Sequence, residues 1–333
     1  MDKKEKNTTL RALVTGASGF IGSHLAEYLY ASGWSVTCLL RPTSRLKLPS
    51  PHRFRIIRGD MSAPKLLEDS VREQDYIFHS AARIRAAHPQ TYHRANVGLT
   101  EDLIRASRLA AGELQRFVYI SSIAASGNSD NLTPKDESMP DNPKSIYGRT
   151  KQMGEHLLLS AGGKPPFSII RPPNVYGPRQ QETEGLIRLI SSGILPKLSR
   201  RSAPTSLIYI RDLVRGMVEC ALAPQTEGRL YYLTDGCPRL WGDVIAAIQR
   251  QLDREFFIPL PQSVFGAAAW IADILTKSGL IQTMFGRKSW DNIVSTPWLF
   301  KSDKAAAEFN FRPAYSLTMG IRETLTSLGI KTS

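Results

Sequence analysis

Cysteine is nearly absent. Cys38, Cys220 and Cys237 are the three in 333 residues, too few and too scattered to staple a small secreted fold or to gather round a metal. Such a chain belongs in a reducing compartment, and the expected location is cytoplasmic. Long apolar runs are missing too: no window reaches the ~18 residues that a membrane-spanning helix needs. The stretch from Met1 to Leu10 is charged and has no apolar core behind it, which argues against a secretory signal. No fixed-period repeat and no low-complexity tract is present. Acidic residues are in shorter supply than basic ones, 30 against 43, for a net charge of +13. A basic surplus suits nucleic acid, an anionic cofactor or an anionic membrane surface, and composition does not choose among them. What remains, at 42% hydrophobic and 22% charged, is an ordinary globular chain with length for one large domain or two smaller ones.

Short β-branched runs alternate with helical patterns through the first 170 or so residues. The runs are Arg11 to Thr15, Ser35 to Leu40, Arg53 to Ile57, Tyr76 to Phe78, Arg116 to Ile120 and Phe167 to Ile170. Helical spacing covers Phe20 to Ser32, Pro89 to Leu109 and Tyr147 to Leu159. Strands separated by helices of this length predict an α/β fold with a doubly wound parallel sheet covered on both faces. At Arg171-Pro172-Pro173-Asn174-Val175-Tyr176-Gly177-Pro178 the rhythm breaks into turn chemistry. The expected division is a dinucleotide-type domain over 1–172 and a smaller, mostly helical substrate lobe over 173–333, with some elements returning to the first. Strand candidates there are Ser206 to Ile210 and Leu230 to Leu233. Ligands of open α/β sheets sit at the carboxyl ends of strands, so the cleft between the lobes is the expected site.

Thr15-Gly16-Ala17-Ser18-Gly19-Phe20-Ile21-Gly22 follows the first strand and opens the first helix. Glycines let the backbone turn sharply and approach a phosphate, and the helix start offers free N–H groups to a pyrophosphate. The bland reading is a structural turn. Dinucleotide folds often carry an acid about 20 residues on, for the ribose diol. Here the second strand ends in Leu40-Arg41, with Thr43, Ser44 and Arg45 behind it. A carboxylate would repel a 2′-phosphate, whereas an arginine grips it. NADP(H) is therefore favoured, with NAD(H) the other candidate; Arg41 and Arg45 also read as solvated surface charges.

Tyr147-Gly148-Arg149-Thr150-Lys151 places a phenol and an ammonium at i and i+4 on one helical face. The ammonium is expected to lower the tyrosine pKa toward neutrality, fitting it to exchange a proton with an alcohol or ketone. Ser122, after the fifth strand, is the candidate to hold the reacting oxygen; its other role is a helix or turn cap.

In these features the sequence resembles the extended short-chain dehydrogenase/reductase family. The resemblance covers nearly the whole chain. It rests on the glycine loop, Gly59-Asp60, His79-Ser80-Ala81-Ala82, Asn96, Ser121-Ser122, Tyr147 to Lys151, Arg171 to Pro178, Tyr209 to Val214 and the pattern from Asp303 to Leu325. It implies a Rossmann-like fold, with Ser122, Tyr147 and Lys151 as the catalytic set. It further implies that Gly16, Ser18, Gly19, Phe20, Ile21 and Gly22 cradle the cofactor. Asp60 and Met61 would meet the adenine, and Ala81, Ala82 and Arg83 would line the cofactor. Lys151 would also reach the nicotinamide ribose, with Pro172, Asn174 and Val175 facing the nicotinamide. Asn96 would order the site or serve as a buried structural amide. Ser122, Asn174 and Arg179 are the candidate substrate contacts, and no metal is expected. A homodimer through the helices at about 90–109 and 147–160 is implied as well.

Two departures narrow the family. Sugar-nucleotide epimerases often carry an arginine where Thr205 and Ser206 stand, leaving Arg200 and Arg201 as substitutes. Sugar dehydratases place an Asp-Glu pair where Ile123-Ala124-Ala125 follows Ser122. The pattern is closer to the branch of 3-beta-hydroxysteroid dehydrogenases and dihydroflavonol reductases. The expected function is interconversion of a secondary alcohol and a ketone on a lipophilic small molecule. The alternatives are a nucleotide-sugar 4-epimerase, whose flavour Asn174 keeps, and a cofactor-sensing regulator without turnover.

Basic residues cluster early (Arg41, Arg45, Lys47, Arg53, Arg55, Arg58) and late (Lys197, Arg200, Arg201, Arg211, Arg215). No reading helix or interleaved aromatic module accompanies them, so nucleic acid is not expected. From Val264 to Phe285 an apolar stretch with Phe265 and Trp270, flanked by Arg287 and Lys288, reads as a substrate lid or an interfacial helix on an anionic membrane. A core-facing amphipathic helix is the plainer reading.

Overall fold

The computed structural model describes residues 9–46, 48, 50–84, 88–109, 114–130, 132–196, 203–252, 254, 256–260 and 296–332. Lys47, Lys197, Arg200, Arg201, Arg287, Lys288 and the stretch Val264 to Phe285 lie outside the described residues, and with them the membrane-facing reading. Among the described residues, no helix is long and apolar enough to cross a membrane.

The chain divides into two units, one of 1–125, 145–171 and 214–231, the other of 126–144, 172–213 and 232–333. The first unit is built on strands β1 (Arg11–Thr15), β2 (Ser35–Leu40), β3 (Arg55–Arg58), β4 (Tyr76–His79), β5 (Arg116–Ile120) and β6 (Phe167–Arg171). Between them run helices α1 (Phe20–Ala31), α2 (Pro64–Val71), α3 (Pro89–His93), α4 (Leu99–Leu109), α5 (Ile123–Ser126) and α6 (Ile146–Leu159). A π turn, Arg94–Gly98, joins α3 to α4. The third strand starts two residues and ends one residue later than its sequence pattern suggested; Phe54 is buried ahead of it while the strand's own residues stay largely open.

These six strands pair in parallel in the order β3-β2-β1-β4-β5-β6, with β10 (Arg229–Tyr232) outermost beyond β6. The Rossmann-like α/β expectation is met. The order reverses between β1 and β4, where Thr15 is level with His79. Outside such a reversal the loops diverge and leave a crevice for a ligand. The strands inside the edge strand β3 read as largely apolar runs because both faces are covered; Leu13, Ile77, Phe117 and Ile169 have no exposed surface, and Leu67, Leu103 and Leu158 pack with them from α2, α4 and α6.

The second unit holds two short parallel pairs. One is β7 (Asn174–Tyr176) with β9 (Leu207–Tyr209), the other β8 (Ile194–Pro196) with β11 (Ile258–Leu260). The strand expected to run on to Ile210 stops at Tyr209, and Ile210 opens α8 (Ile210–Leu222). Helices α7 (Gln181–Ser191), α9 (Trp241–Gln249), α10 (Asp303–Phe309) and α11 (Leu317–Ser327) complete the described α-helices. Buried Asp212 accepts the amides of Ala314 and Tyr315 at 2.8 and 2.9 Å, and the Tyr209 hydroxyl donates to Glu323 at 2.6 Å.

Helix α6 lies unusually close to β5. A Cβ at Gly154 would stand 2.3 Å from the Tyr119 hydroxyl oxygen. Gly154→Ala gains ~1 kcal/mol of helix propensity, but overpacking costs ~1–3 kcal/mol, so the denaturation midpoint should fall. Gly185→Ala on α7, where a Cβ meets nothing within 4 Å, should raise it. Equal gains from both substitutions would show that α6 does not press on β5 this tightly.

Candidate active site

The glycine loop follows β1 at the crevice. Gly16 has φ +75° and a Cβ there would lie 2.7 Å from the Ala81 nitrogen; a Cβ at Gly22 would lie 2.3 Å from the Gly16 oxygen. Both positions therefore exclude larger residues, the first by conformation and contact, the second by contact. Gly19 caps α1 without any side-chain hydrogen bond, and no acidic residue stands in the first turn. Ser18, Phe20 and Ile21 are half-buried around it. Bare amides at the positive end of a twelve-residue helix fit a dinucleotide pyrophosphate.

Further along the same edge, Arg41 and Arg45 are exposed. Their loop is held by the Ser44 amide on the Arg41 carbonyl (3.0 Å) and by Arg58, which donates to the Ser44 carbonyl at 2.6 Å. Asp60 is exposed beside half-buried Met61. Its carboxylate accepts the Ser62 amide and hydroxyl, at 2.9 and 2.8 Å, which holds it below the usual carboxylate range. Ala81 is half-buried, and Ala82 and Arg83 are exposed.

Beneath the loop runs a chain of hydrogen bonds that sequence reading passed over. Thr100 donates to the Asn96 carbonyl (2.7 Å), so it faces fully buried His79 Nε2 (2.9 Å) as an acceptor. The imidazole then carries its proton on Nε2, and Nδ1 accepts from the Thr15 hydroxyl at 2.7 Å, whose oxygen receives the Ala81 amide at 3.2 Å. Asn96, on the π turn, spans the Arg83 amide and carbonyl (2.7 and 3.0 Å) and donates to Thr150 at 3.0 Å. Thr150 in turn donates to the Tyr147 carbonyl at 2.9 Å. The structural-amide role of Asn96 is thus present. Thr15, His79, Thr100 and Thr150 together link the end of β1 to α6.

Ser145 caps α6 by accepting the Gly148 amide at 3.0 Å. The helix places Tyr147 and Lys151 on one face, and the Ser122 side chain stands near enough to Tyr147 to favour its phenolate. Ser122 also accepts the Ala124 amide at 3.1 Å, so its capping role coexists with that contact. Lys151 is buried, its Nζ 4.0 Å from the centre of the Tyr119 ring. The expected lowering of the tyrosine pKa is overturned. Burial pushes the Tyr147 phenol up to about 12 against the pull of Ser122. Burial also brings Lys151 down to about 7, against the attraction of Glu155.

Behind this pair sits a buried ion pair. Arg171 donates from Nε to Glu155 at 2.8 Å and from Nη2 at 2.5 Å, and Ser121 donates to the same carboxylate. Glu155 stands at i+4 from Lys151 and i+8 from Tyr147, a spacing that would have marked it as a neighbour.

Pro172, Asn174, Val175 and Arg179 belong to the second unit. Pro172 is buried, Val175 half-buried, and Asn174 donates to Thr205 at 2.9 Å. Arg179 has φ 71° and its amide donates to Glu184 at 2.7 Å. Thr205 and Ser206 are buried and bonded within this unit, Thr205 to Asn174 and Ser206 to the Phe300 backbone.

A model of the NAD dependent epimerase/dehydratase family matches residues 12–232. The chain is similar to a 4-hydroxy-2-methyl-3-oxo-4-farnesyl-3,4-dihydroquinoline-1-oxide ketoreductase of Stigmatella aurantiaca, 33% identical over 238 residues covering 69% of each chain. It is similar to a 3 beta-hydroxysteroid dehydrogenase/Delta 5-->4-isomerase of Mycobacterium tuberculosis, 30% identical over 68% of this chain and 65% of that protein. Among solved structures it resembles UDP-glucuronic acid 4-epimerase from Bacillus cereus in complex with NAD. The TM-score there is 0.72 at 23% identity, covering 96% of this chain and 99% of that one, a likeness of fold.

Burial, with Lys151 adding repulsion, lowers His79 to about 3, whereas in the unfolded chain it titrates near ~6.5. The unfolded state therefore binds the extra proton between these values. The stability that neutral His79 represents is complete above ~6.5 and is lost as pH falls toward about 3, by up to ~1.4 kcal/mol per pH unit. In urea titrations between pH 4 and 6, His79→Gln should show a slope shallower by about one proton. Equal slopes would mean that His79 is protonated in the native state.

Proposed function

The chain belongs to the NAD dependent epimerase/dehydratase family as an oxidoreductase of the short-chain dehydrogenase/reductase type, and from that premise we propose that it interconverts a ketone and a secondary alcohol on a lipophilic small molecule. The observation that carries the reading is the placement of Tyr147 and Lys151 on one face of α6, with Ser122 beside Tyr147. In the reducing direction the protonated phenol donates, and in the oxidising direction its phenolate takes the proton back. Ser122 holds the substrate oxygen, Tyr147 gives its proton to that oxygen as negative charge develops there, and Lys151 stabilises the phenolate left behind. A nicotinamide cofactor, held through its pyrophosphate by the glycine loop, would exchange the hydride. Gly16, Ser18, Gly19, Phe20, Ile21 and Gly22 hold its pyrophosphate. Asp60, Met61, Ala81, Ala82, Arg83 and Asn96 serve the rest of the cofactor, and Pro172, Asn174 and Val175 its nicotinamide end.

The lipophilic class is supported by the similarity to a farnesyl-dihydroquinoline-oxide ketoreductase and a 3 beta-hydroxysteroid dehydrogenase. The runner-up, a nucleotide-sugar 4-epimerase, draws on the fold likeness. Against it, the positions of the family's diphosphate-gripping arginine are filled by Thr205 and Ser206, both bonded internally. The homodimer is proposed on the face where α4 and α6 form a groove lined by Ile104, Arg105, Arg108, Met153, His156 and Leu157.

Tyr147→Phe should lower turnover ~10²–10⁴-fold while cofactor binding is kept, measured on hydroxysteroid and flavonoid ketones alongside sugar nucleotides. Near-normal turnover, or better use of a sugar nucleotide without net redox change, would refute the reading.

Arg41 is proposed to select NADP(H) through the 2′-phosphate, the arginine standing where an acid would repel it. Arg41→Ala should weaken NADP(H) roughly 10- to 100-fold and leave NAD(H) unchanged. Tighter NAD(H) binding by the unaltered protein, indifferent to the substitution, would reverse the assignment.

A further inference from the structure

Lys151 is only 1% exposed, and an ammonium taken from water tends to discharge rather than stay buried and charged. The face of the Tyr119 ring at 4.0 Å offers some compensation. His79, Tyr119 and Tyr147, which also approach, are neutral at pH 7. The full charges nearby are those of Glu155, one turn below on α6, and of Arg171, which grips Glu155 from the end of β6. Ser121, just past β5, donates to the same carboxylate. Three elements thus fix one carboxylate under one lysine. A buried ion pair is a weak source of stability, since apolar replacements are often as stable. What this pair provides that an apolar pair does not is a fixed negative charge beside a buried amine.

We propose that Glu155 is a positioning residue whose carboxylate, clamped by Arg171 and Ser121, keeps the Lys151 ammonium charged at neutral pH and so able to support Tyr147. The inference rests on the reading of Tyr147 and Lys151 given above. It agrees with the direction in which Glu155 moves Lys151, upward against burial. The two halves of the clamp have opposite effects. Without Glu155, Lys151 loses its counter-charge and keeps Arg171 nearby. Without Arg171, the carboxylate is released to Lys151 alone.

The test is the Lys151 side-chain titration, followed by ¹³C NMR in lysine-labelled protein and assigned by the signal lost in Lys151→Arg. It needs no turnover, so a failure of the Tyr147 reading is told apart from a failure here. In the unaltered protein Lys151 should be at least half ammonium at pH 7. Glu155→Gln should move its titration, and the alkaline limb of kcat, down by roughly one pH unit or more. Arg171→Gln should move both upward. A purely structural ion pair would instead give a flat loss at every pH in both variants. The proposal is overturned if Lys151 in the unaltered protein is neutral at pH 7, or if it titrates at one pH in all the folded variants. Should Glu155→Gln not fold, the upward movement in Arg171→Gln decides; should neither fold, the unaltered protein's titration does.

Discussion

The helix that carries Tyr147 cannot stand off from the sheet. Gly148 and Gly154 leave room on α6 for the Ala124 carbonyl and the Tyr119 hydroxyl, where a Cβ would come within 2.1 and 2.3 Å. That close approach buries the face bearing Lys151 and Glu155. From it follow the depressed lysine, the raised phenol and the need for a clamped carboxylate, because low solvation penalises charge wherever it is unmatched. A helix one side chain farther away would put the same residues in water, where Lys151 would be an ordinary cation.

Polar groups below the glycine loop obey the same constraint. His79 and Thr100 have no exposed surface, and each hydroxyl and ring nitrogen there meets a partner of opposite sense. A buried donor or acceptor left alone is costly, so the chain from Thr15 to Thr150 fixes its members together. The strand end that leads into the glycine loop and the helix that holds Tyr147 are thereby tied through side chains, in addition to the sheet.

The second unit bears on substrate class through what its polar residues are already doing. Thr205 bonds Asn174, and Ser206 bonds the Phe300 backbone. These hydroxyls serve the unit's own packing, and neither carries the charge that a diphosphate requires. The basic residues near the end of β2 are differently placed. Arg58 is spent on the Ser44 carbonyl, which orders the short loop bearing Arg41 and Arg45 without discharging either.

The alternation of strands and helices, the glycine loop at the end of β1 and the common helical face of Tyr147 and Lys151 are all legible in the amino-acid sequence. Each of these is a local pattern, set by periodicity of two or 3.6 residues and by the conformational range of glycine. The sequence pattern started β3 two residues too early and carried the strand ending at Tyr209 one residue too far, since strand limits depend on neighbouring strands. The charge balance of the site depends on tertiary packing. A lysine four residues from a tyrosine reads locally as a pull on the phenol proton. Burial instead raises the Tyr147 phenol and lowers Lys151, and the carboxylate that opposes the second shift, Glu155, is held by Ser121 and Arg171 from outside its own helix. Desolvation is a property of everything that surrounds a group, so no local spacing encodes it.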